Sequence, residues 1–190
     1  MESYRYLVAY LPDEPVAQQV WAYKNEVATH CGSVRGLKVL PHITFIPPFL
    51  YPEHEEPKLI QQLSALTGTF VPEAIDFNGF AYFKGPKSNT IYVAVTATTL
   101  MNKYHEQLSI YARNKLHMDT RHAPKSFTPH MTIAYRDLDP EKFACAWPRF
   151  EHRDFKANGR LDRLWLLKHV DSRWQPLLAF TFGGKPNTLF

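Results

Sequence analysis

Along this chain the apolar positions alternate with polar ones, shift to helical spacing, and return to alternation several times. Tyr4 to Leu11 alternates apolar and aromatic residues and stops at Pro12, which predicts a strand. Pro12-Asp13-Glu14-Pro15 turns the chain and opens a helix, with its acidic residues at the positive end. That helix is expected to run to about Thr29, ahead of Gly32 and Gly36. Val39 to Phe49 reads as a second strand ended by Pro47-Pro48, and Glu53 to Leu66 as a second helix stopping at Gly68. Phe70 to Phe83 reads as a strand bent near Gly79. The turn chemistry of Lys84 to Asn89 then leads into Ile91 to Val95, giving a hairpin. Thr98 or Thr99 is placed to cap the amphipathic segment Leu100 to Leu116. Phe127 to Tyr135 is a further strand and Pro140 to Ala146 a short helix. Leu161 to Val170 and Trp174 to Phe182 close the chain as a hairpin around Asp171-Ser172-Arg173.

The resulting order, β-α-β-α-β-β-α-β-α-β-β, has no long Gly/Ser linker. It predicts one α+β domain over residues 1–190, bilobal, with two similar lobes of largely antiparallel sheet and outer helices around a central cleft. Each lobe carries an apolar strand with a histidine after its main helix.

Composition changes this picture little. With 190 residues and 45% hydrophobic content there is material for a real core without a structural metal. Cys31 and Cys145 make no CxxC or zinc-ligand spacing and read as reduced thiols of a cytoplasmic protein. No apolar run approaches membrane-spanning length, and the first residues lack a signal-peptide profile. A formal charge of +4 favours an anionic partner but is too small for a nucleic-acid coat. Neither a Walker A motif nor GxGxxG is present, and no HExxH or comparable pattern points to a metal, so no cofactor is expected.

One short segment occurs twice. Residues 41–45 read Pro41-His42-Ile43-Thr44-Phe45, and residues 129–133 read Pro129-His130-Met131-Thr132-Ile133. Nine histidines in a chain of this Ser and Thr content give about one accidental His-x-Ser/Thr match, so the bare spacing means little. The shared proline, apolar flanks and strand-like setting give the pair its weight. A lone strand histidine is ordinarily structural; a second copy with the same facing pattern reverses that expectation. Side chains alternate along a strand, so His42 and Thr44 face one way while Ile43 and Phe45 face the other, and the second copy does the same. Two imidazoles and two hydroxyls converging on one cleft suit in-line attack at phosphorus. A neutral ring takes a proton from the attacking group and a protonated ring gives one to the leaving oxygen. The Thr hydroxyls can donate to the non-bridging oxygens. His42, Thr44, His130 and Thr132 are therefore the candidate catalytic residues.

At these residues the chain resembles the 2H phosphoesterase superfamily, within it the 2′-5′ RNA ligase and cyclic phosphodiesterase group. Weaker likeness lies in Asn89 to Val93 and Leu164 to Gly183. The resemblance implies a bilobal fold with a water-filled cleft and one His-x-Thr pair per lobe. It also implies action on 2′,3′-cyclic phosphate ends of RNA or nucleotides, or on 2′-5′ phosphodiester bonds, without ATP or metal. Many ligase-like members carry an Arg five residues after the second His; here that position is Tyr135, with Arg136 next, and the departure weighs against ligation. On an ideal strand Arg136 shares the face of His130 and Thr132, which makes it the candidate phosphate clamp, with Tyr135 beside it.

His117 and His122 are expected in solvent. Lys84, Lys87, Arg121 and Lys125 lie in predicted loops where they could guide an RNA backbone, and Tyr82, Phe83 and Trp165 could stack on a base, though none is assigned. The expected partner is an RNA end or small nucleotide, with no membrane, and a monomer is the default expectation. A binding module that holds an RNA end or nucleotide without turnover, and a phosphoesterase for another small phosphorylated metabolite, are the rival readings.

Overall fold

The structure, a computed structural model, describes residues 2–118 and 126–183. The described elements are β1 (Ser3–Tyr10), α1 (Glu14–Cys31), β2 (Ile43–Pro52), α2 (Glu56–Thr67), β3 (Glu73–Phe83), β4 (Thr90–Val95), α3 (Thr99–Lys115), β5 (His130–Ala134), α4 (Pro140–Ala146), β6 (Lys156–Leu161), β7 (Arg163–Val170) and β8 (Arg173–Thr181). The strands form two four-stranded sheets, in the orders β2-β1-β7-β8 and β5-β4-β3-β6, and all six pairings are antiparallel. The fold class is thus the expected α+β. The closing hairpin β7–β8 returns to the sheet of β1, so the first sheet is built from both ends of the described chain.

β1 shows why it sits inside its sheet. Tyr6, Val8 and Tyr10 enter the main core, while Leu7 and Ala9 point to the other face and pack with Leu167. Buried on both faces, β1 is also paired along both backbone edges, with β2 and with β7. The main core runs continuously between the sheets, joining Phe45 of β2, Leu63 of α2, Ile75 of β3, Leu108 of α3 and Met131 of β5. The local signals act where expected. Thr98 accepts a hydrogen bond from the Met101 N–H at 2.9 Å and so caps α3. Gly32 ends α1 at φ 71°, in the left-handed region. Gly79, at φ 67°, makes the bend in β3 where its register to β4 shifts.

Two expectations are corrected. β6, Lys-Ala-Asn-Gly-Arg-Leu, is a strand that the hydrophobic pattern did not predict. It is polar because it lies at the edge of its sheet and buries little, and Gly159 is what lets it close over the Phe77 ring and the Tyr10 hydroxyl. Cys31 and Cys145 are a disulfide, with Cα atoms 5.8 Å apart, rather than reduced thiols. Helices α1 and α4 pack so that the end of one meets the other, a juxtaposition that linear cysteine spacing cannot reveal. Cysteine usage therefore lends no support to a reducing compartment. No helix among the described residues is long and apolar enough to cross a membrane.

Candidate active site

Each histidine is set by its own few residues. His42 stands just before β2 and His130 opens β5. In both copies the burial pattern over Pro-His-x-Thr-x is the same: the proline and both apolar residues are buried, the histidine and threonine half-buried. The ring contacts also match. His42 Nδ1 lies 2.6 Å from the Leu40 carbonyl, and His130 Nδ1 lies 2.7 Å from that of Thr128. A carbonyl only accepts, so Nδ1 carries the hydrogen in each ring and Nε2 of the neutral form holds the lone pair. One backbone device has fixed the same tautomer twice.

A cleft of about 560 Å³ opens beside these motifs. Its wall brings together His42, Thr44, Thr132, Tyr135 and Arg136. His130 is not on that wall, but a charge on it would depress the proton affinity of His42, so the two rings sense each other. The first sheet contributes Arg5 and Leu7 from β1, and His169 and Trp174 from β7 and β8. Arg5 donates to His169 Nδ1 at 3.3 Å. Five cationic side chains line the cleft (Arg5, Lys24, Arg35, Lys38, Arg136), with no carboxylate among the described lining residues. Such a surface favours an anion strongly. An adjoining cavity of about 690 Å³ shares Lys38, Val39, Ser172 and Trp174 with the cleft and adds Trp21 and Arg173.

Arg136 reaches the cleft by a route the sequence did not indicate. β5 stops at Ala134, and Arg136 takes φ 66°, so strand alternation does not place its side chain. A non-glycine residue there is strained, and the neighbouring contacts hold it. Asp137 accepts from Ser33 Oγ at 2.7 Å and from the backbone N–H groups of Val34 and Arg35 at 2.9 and 3.1 Å. Burial works to raise the Asp137 carboxyl, but those hydrogen bonds prevail and hold it below its usual range. The segment after α1 is thereby clamped to the end of β5. Gly36, in the 3-10 turn Arg35–Lys38, is pressed so closely on β5 that a Cβ would collide with the Ile133 carbonyl.

Burial pushes His42 down to about 4; the Leu40 hydrogen bond opposes this, and the charges of Lys24 and His130 add to it. His130 is also lowered by burial, against its bond to Thr128. Its ring packs edge-to-face with Phe83 and tilted against Tyr92, at 5.0 and 5.1 Å between centroids.

Other candidates fall elsewhere. Lys84 and Lys87 are exposed on the β3–β4 turn, outside the cleft lining, and His117 is exposed as expected. Tyr82 packs on Phe143 and Trp147. Trp165 joins the small cluster around Leu7. Arg121, His122 and Lys125 lie outside the described residues. Among the described residues no group of three or more His, Cys, Asp or Glu is placed to hold a metal ion. The sequence reading missed Lys24, Arg5 and His169. Lys24 alone carried a usable signal, as a lysine on the stripe Val16, Val20, Val27 that α1 buries.

Several known proteins are similar to this chain in sequence or in fold. A protein of Geobacillus kaustophilus, provisionally named a phosphoesterase, is 26% identical over 184 residues, covering 95% of this chain and 98% of its own length. A similarly named protein of a second Geobacillus strain is 23% identical over 184 residues, with the same coverage of each chain. Among solved structures, TT0787 of Thermus thermophilus matches with a TM-score of 0.67 at 20% identity, over 95% of this chain and 99% of that one. The apo form of E. coli LigT matches at 0.64 and 15% identity, over 97% and 100%. The profile of the 2′-5′ RNA ligase superfamily matches residues 12–173. That span holds both His-x-Thr motifs and most of the chain, and the protein belongs to the 2′-5′ RNA ligase superfamily.

Proposed function

We propose that this protein is a metal-independent phosphodiesterase acting on 2′,3′-cyclic phosphate ends of RNA or nucleotides, or on 2′-5′ phosphodiester bonds, with His42 and His130 as paired acid and base. The observation that carries this reading is the duplicated ring setting. In both copies Nδ1 is committed to a backbone carbonyl, leaving Nε2 for proton transfer; His42 lines the cation-rich cleft, and the charge of His130 reaches it. For a cyclic phosphate, a water oxygen bonds to phosphorus as one Nε2 takes its proton. The bond from phosphorus to the 3′ oxygen breaks, and the other ring, protonated, delivers its proton to that oxygen. Atoms balance as ester plus water to a 2′-phosphate and a 3′ hydroxyl. Thr44 and Thr132 donate to the non-bridging oxygens, and Arg136 and its neighbours hold the phosphate charge. Burial favours the neutral form of both rings, and a bound anion favours the protonated form of the ring it faces.

Two further observations bear on the substrate. The adjoining cavity, with Trp21 and Trp174 on its wall, offers room and aromatic surface for the nucleoside part. LigT, whose fold this chain shares at a TM-score of 0.62, has been solved with 3′-AMP.

The test is turnover of a 2′,3′-cyclic mononucleotide in EDTA by wild type, His42→Ala and His130→Ala. Loss of about 10²-fold or more in each variant is the expected result. An inert wild type, activity abolished by the chelator, or activity surviving both substitutions overturns the reading.

A further inference from the structure

Among the described residues Lys24 is the one charged side chain that is buried. It is 2% exposed, on the apolar stripe of α1. Its Nζ donates to the carbonyls of Gly36 at 3.1 Å and Val39 at 2.5 Å, and lies 4.9 Å from the centre of the Trp21 ring. Among the described residues no carboxylate pairs with it. A buried ammonium without a counter-charge is costly, and two carbonyls and one ring face offset only part of that cost. The cleft that Lys24 lines also holds Arg35, Lys38 and Arg136 and, among its described lining residues, no carboxylate. If stitching the loop were the whole purpose, a neutral donor would serve better.

Position supplies the missing purpose. Gly36 and Val39 bracket the segment that leads to Leu40, and the Leu40 carbonyl fixes the His42 ring. Lys24 also lines the cleft itself, and its charge acts on the His42 ring.

We propose that Lys24 is a positioning residue of this cleft: it ties down the segment that orients His42 and, when protonated, stands as a positive charge behind that ring. Beside a second, aromatic-flanked histidine, this charge makes the two rings unequal in the empty cleft. It also primes the site for an anion, whose arrival relieves the crowding of like charges. For its rate readout the inference rests on the phosphodiesterase reading; its main readout does not.

That readout is the ring titration of His42, followed by NMR in Lys24→Met, Lys24→Gln and Lys24→Arg, with the signal assigned by its loss in His42→Gln. Burial brings the Lys24 ammonium down to about 7, so it is charged throughout the range in which His42, near 4, takes up its proton. Removing that charge raises the affinity of His42 for a proton, so its titration moves up, on the order of 0.5–1 pH unit. The other groups around the ring are unchanged in every variant: Arg5 of β1, Arg35 and Lys38 of the turn, His130 of β5, Arg136 beyond it, and His169 of β7. In Lys24→Arg the charge remains and the titration stays near that of wild type. Gln keeps a hydrogen-bond donor for the segment, so it carries the test if Met prevents folding. In the rate assay, the neutral variants are expected to lose roughly tenfold in kcat/KM, with the acidic limb of the pH profile displaced upward. Stabilisation of the fold by inorganic phosphate should shrink in parallel. A folded neutral variant whose His42 titrates as in wild type overturns the proposal. If wild type has no turnover at all, the phosphodiesterase reading fails while the titration still judges Lys24.

Discussion

The two Pro-His-x-Thr copies are the same object in different surroundings. Within each copy the burial pattern, the tautomer and the carbonyl that fixes it are shared. Beyond five residues the likeness ends. Around His42 stand a buried lysine and a turn rich in cations; around His130 stand Phe83 and Tyr92. Local sequence decides which nitrogen carries the hydrogen, because the carbonyl two residues back does it. Tertiary surroundings decide how readily the other nitrogen takes one. Two copies of one pattern, differing only at their apolar residues, can therefore hold their rings in different electrostatic surroundings.

The threonines offer the sharpest way to break this comparison. Thr44→Val and Thr132→Val each keep the β-branched shape and remove a hydroxyl from the cleft wall. Each is expected to lower kcat/KM by about a hundred- to a thousandfold, the size of losing one donor to developing charge on phosphorus. Initial-rate kinetics on the cyclic mononucleotide measure it. Near-equal losses mean that both hydroxyls hold the same phosphate; loss in one copy alone means that the second motif is a structural echo of the first.

What was legible in the chain follows the same division. The motif, its facing pattern and most strands depend on alternation at short range, and the sequence carries that directly. β6 was invisible because an edge strand of Lys, Asn and Gly buries little and has no pattern to detect. The disulfide and the clamp of Asp137 on Ser33 join residues far apart in sequence, through the packing of α1 against α4 and β5. Arg136 reached the cleft although the strand argument for it fails, since a left-handed turn replaces the last strand residues. Lys24 was open to detection. Its spacing from Val16, Val20 and Val27 places it on the buried stripe, where a lysine calls for a reason.

Acid stability sharpens the comparison next. His42, lowered to about 4 from an ordinary value of 6.5, binds a proton more weakly in the folded chain than in the unfolded one. Its contribution to stability is fully present above pH 6.5 and is lost as the pH falls toward 4. His130, lowered as well, contributes in the same direction. Thermal unfolding between pH 7 and pH 4 follows the loss, and His42→Gln is expected to flatten the wild-type decline by about 2–8 °C. Carboxylates titrate in the same range, so the difference between wild type and variant carries the information. If His130→Gln flattens the curve more than His42→Gln does, the inequality runs opposite to the one drawn from Lys24.

The smallest effect belongs to the aromatic side. Phe83 is 38% exposed, and its ring meets His130 edge-on. Phe83→Ala lets water reach that ring and weakens the burial that disfavours its charged form, so the His130 titration moves up toward its ordinary value. The Nδ1 bond to Thr128 is untouched, which keeps the tautomer and limits the change in kcat/KM to less than about tenfold. His42 is set chiefly by its own burial, then by the Leu40 hydrogen bond and the charges of Lys24 and His130, so its titration should move little. Read by NMR, an equal shift at both rings would mean that the cleft acts as one electrostatic medium. A shift at His130 alone means that each copy of the motif is tuned by its own neighbours.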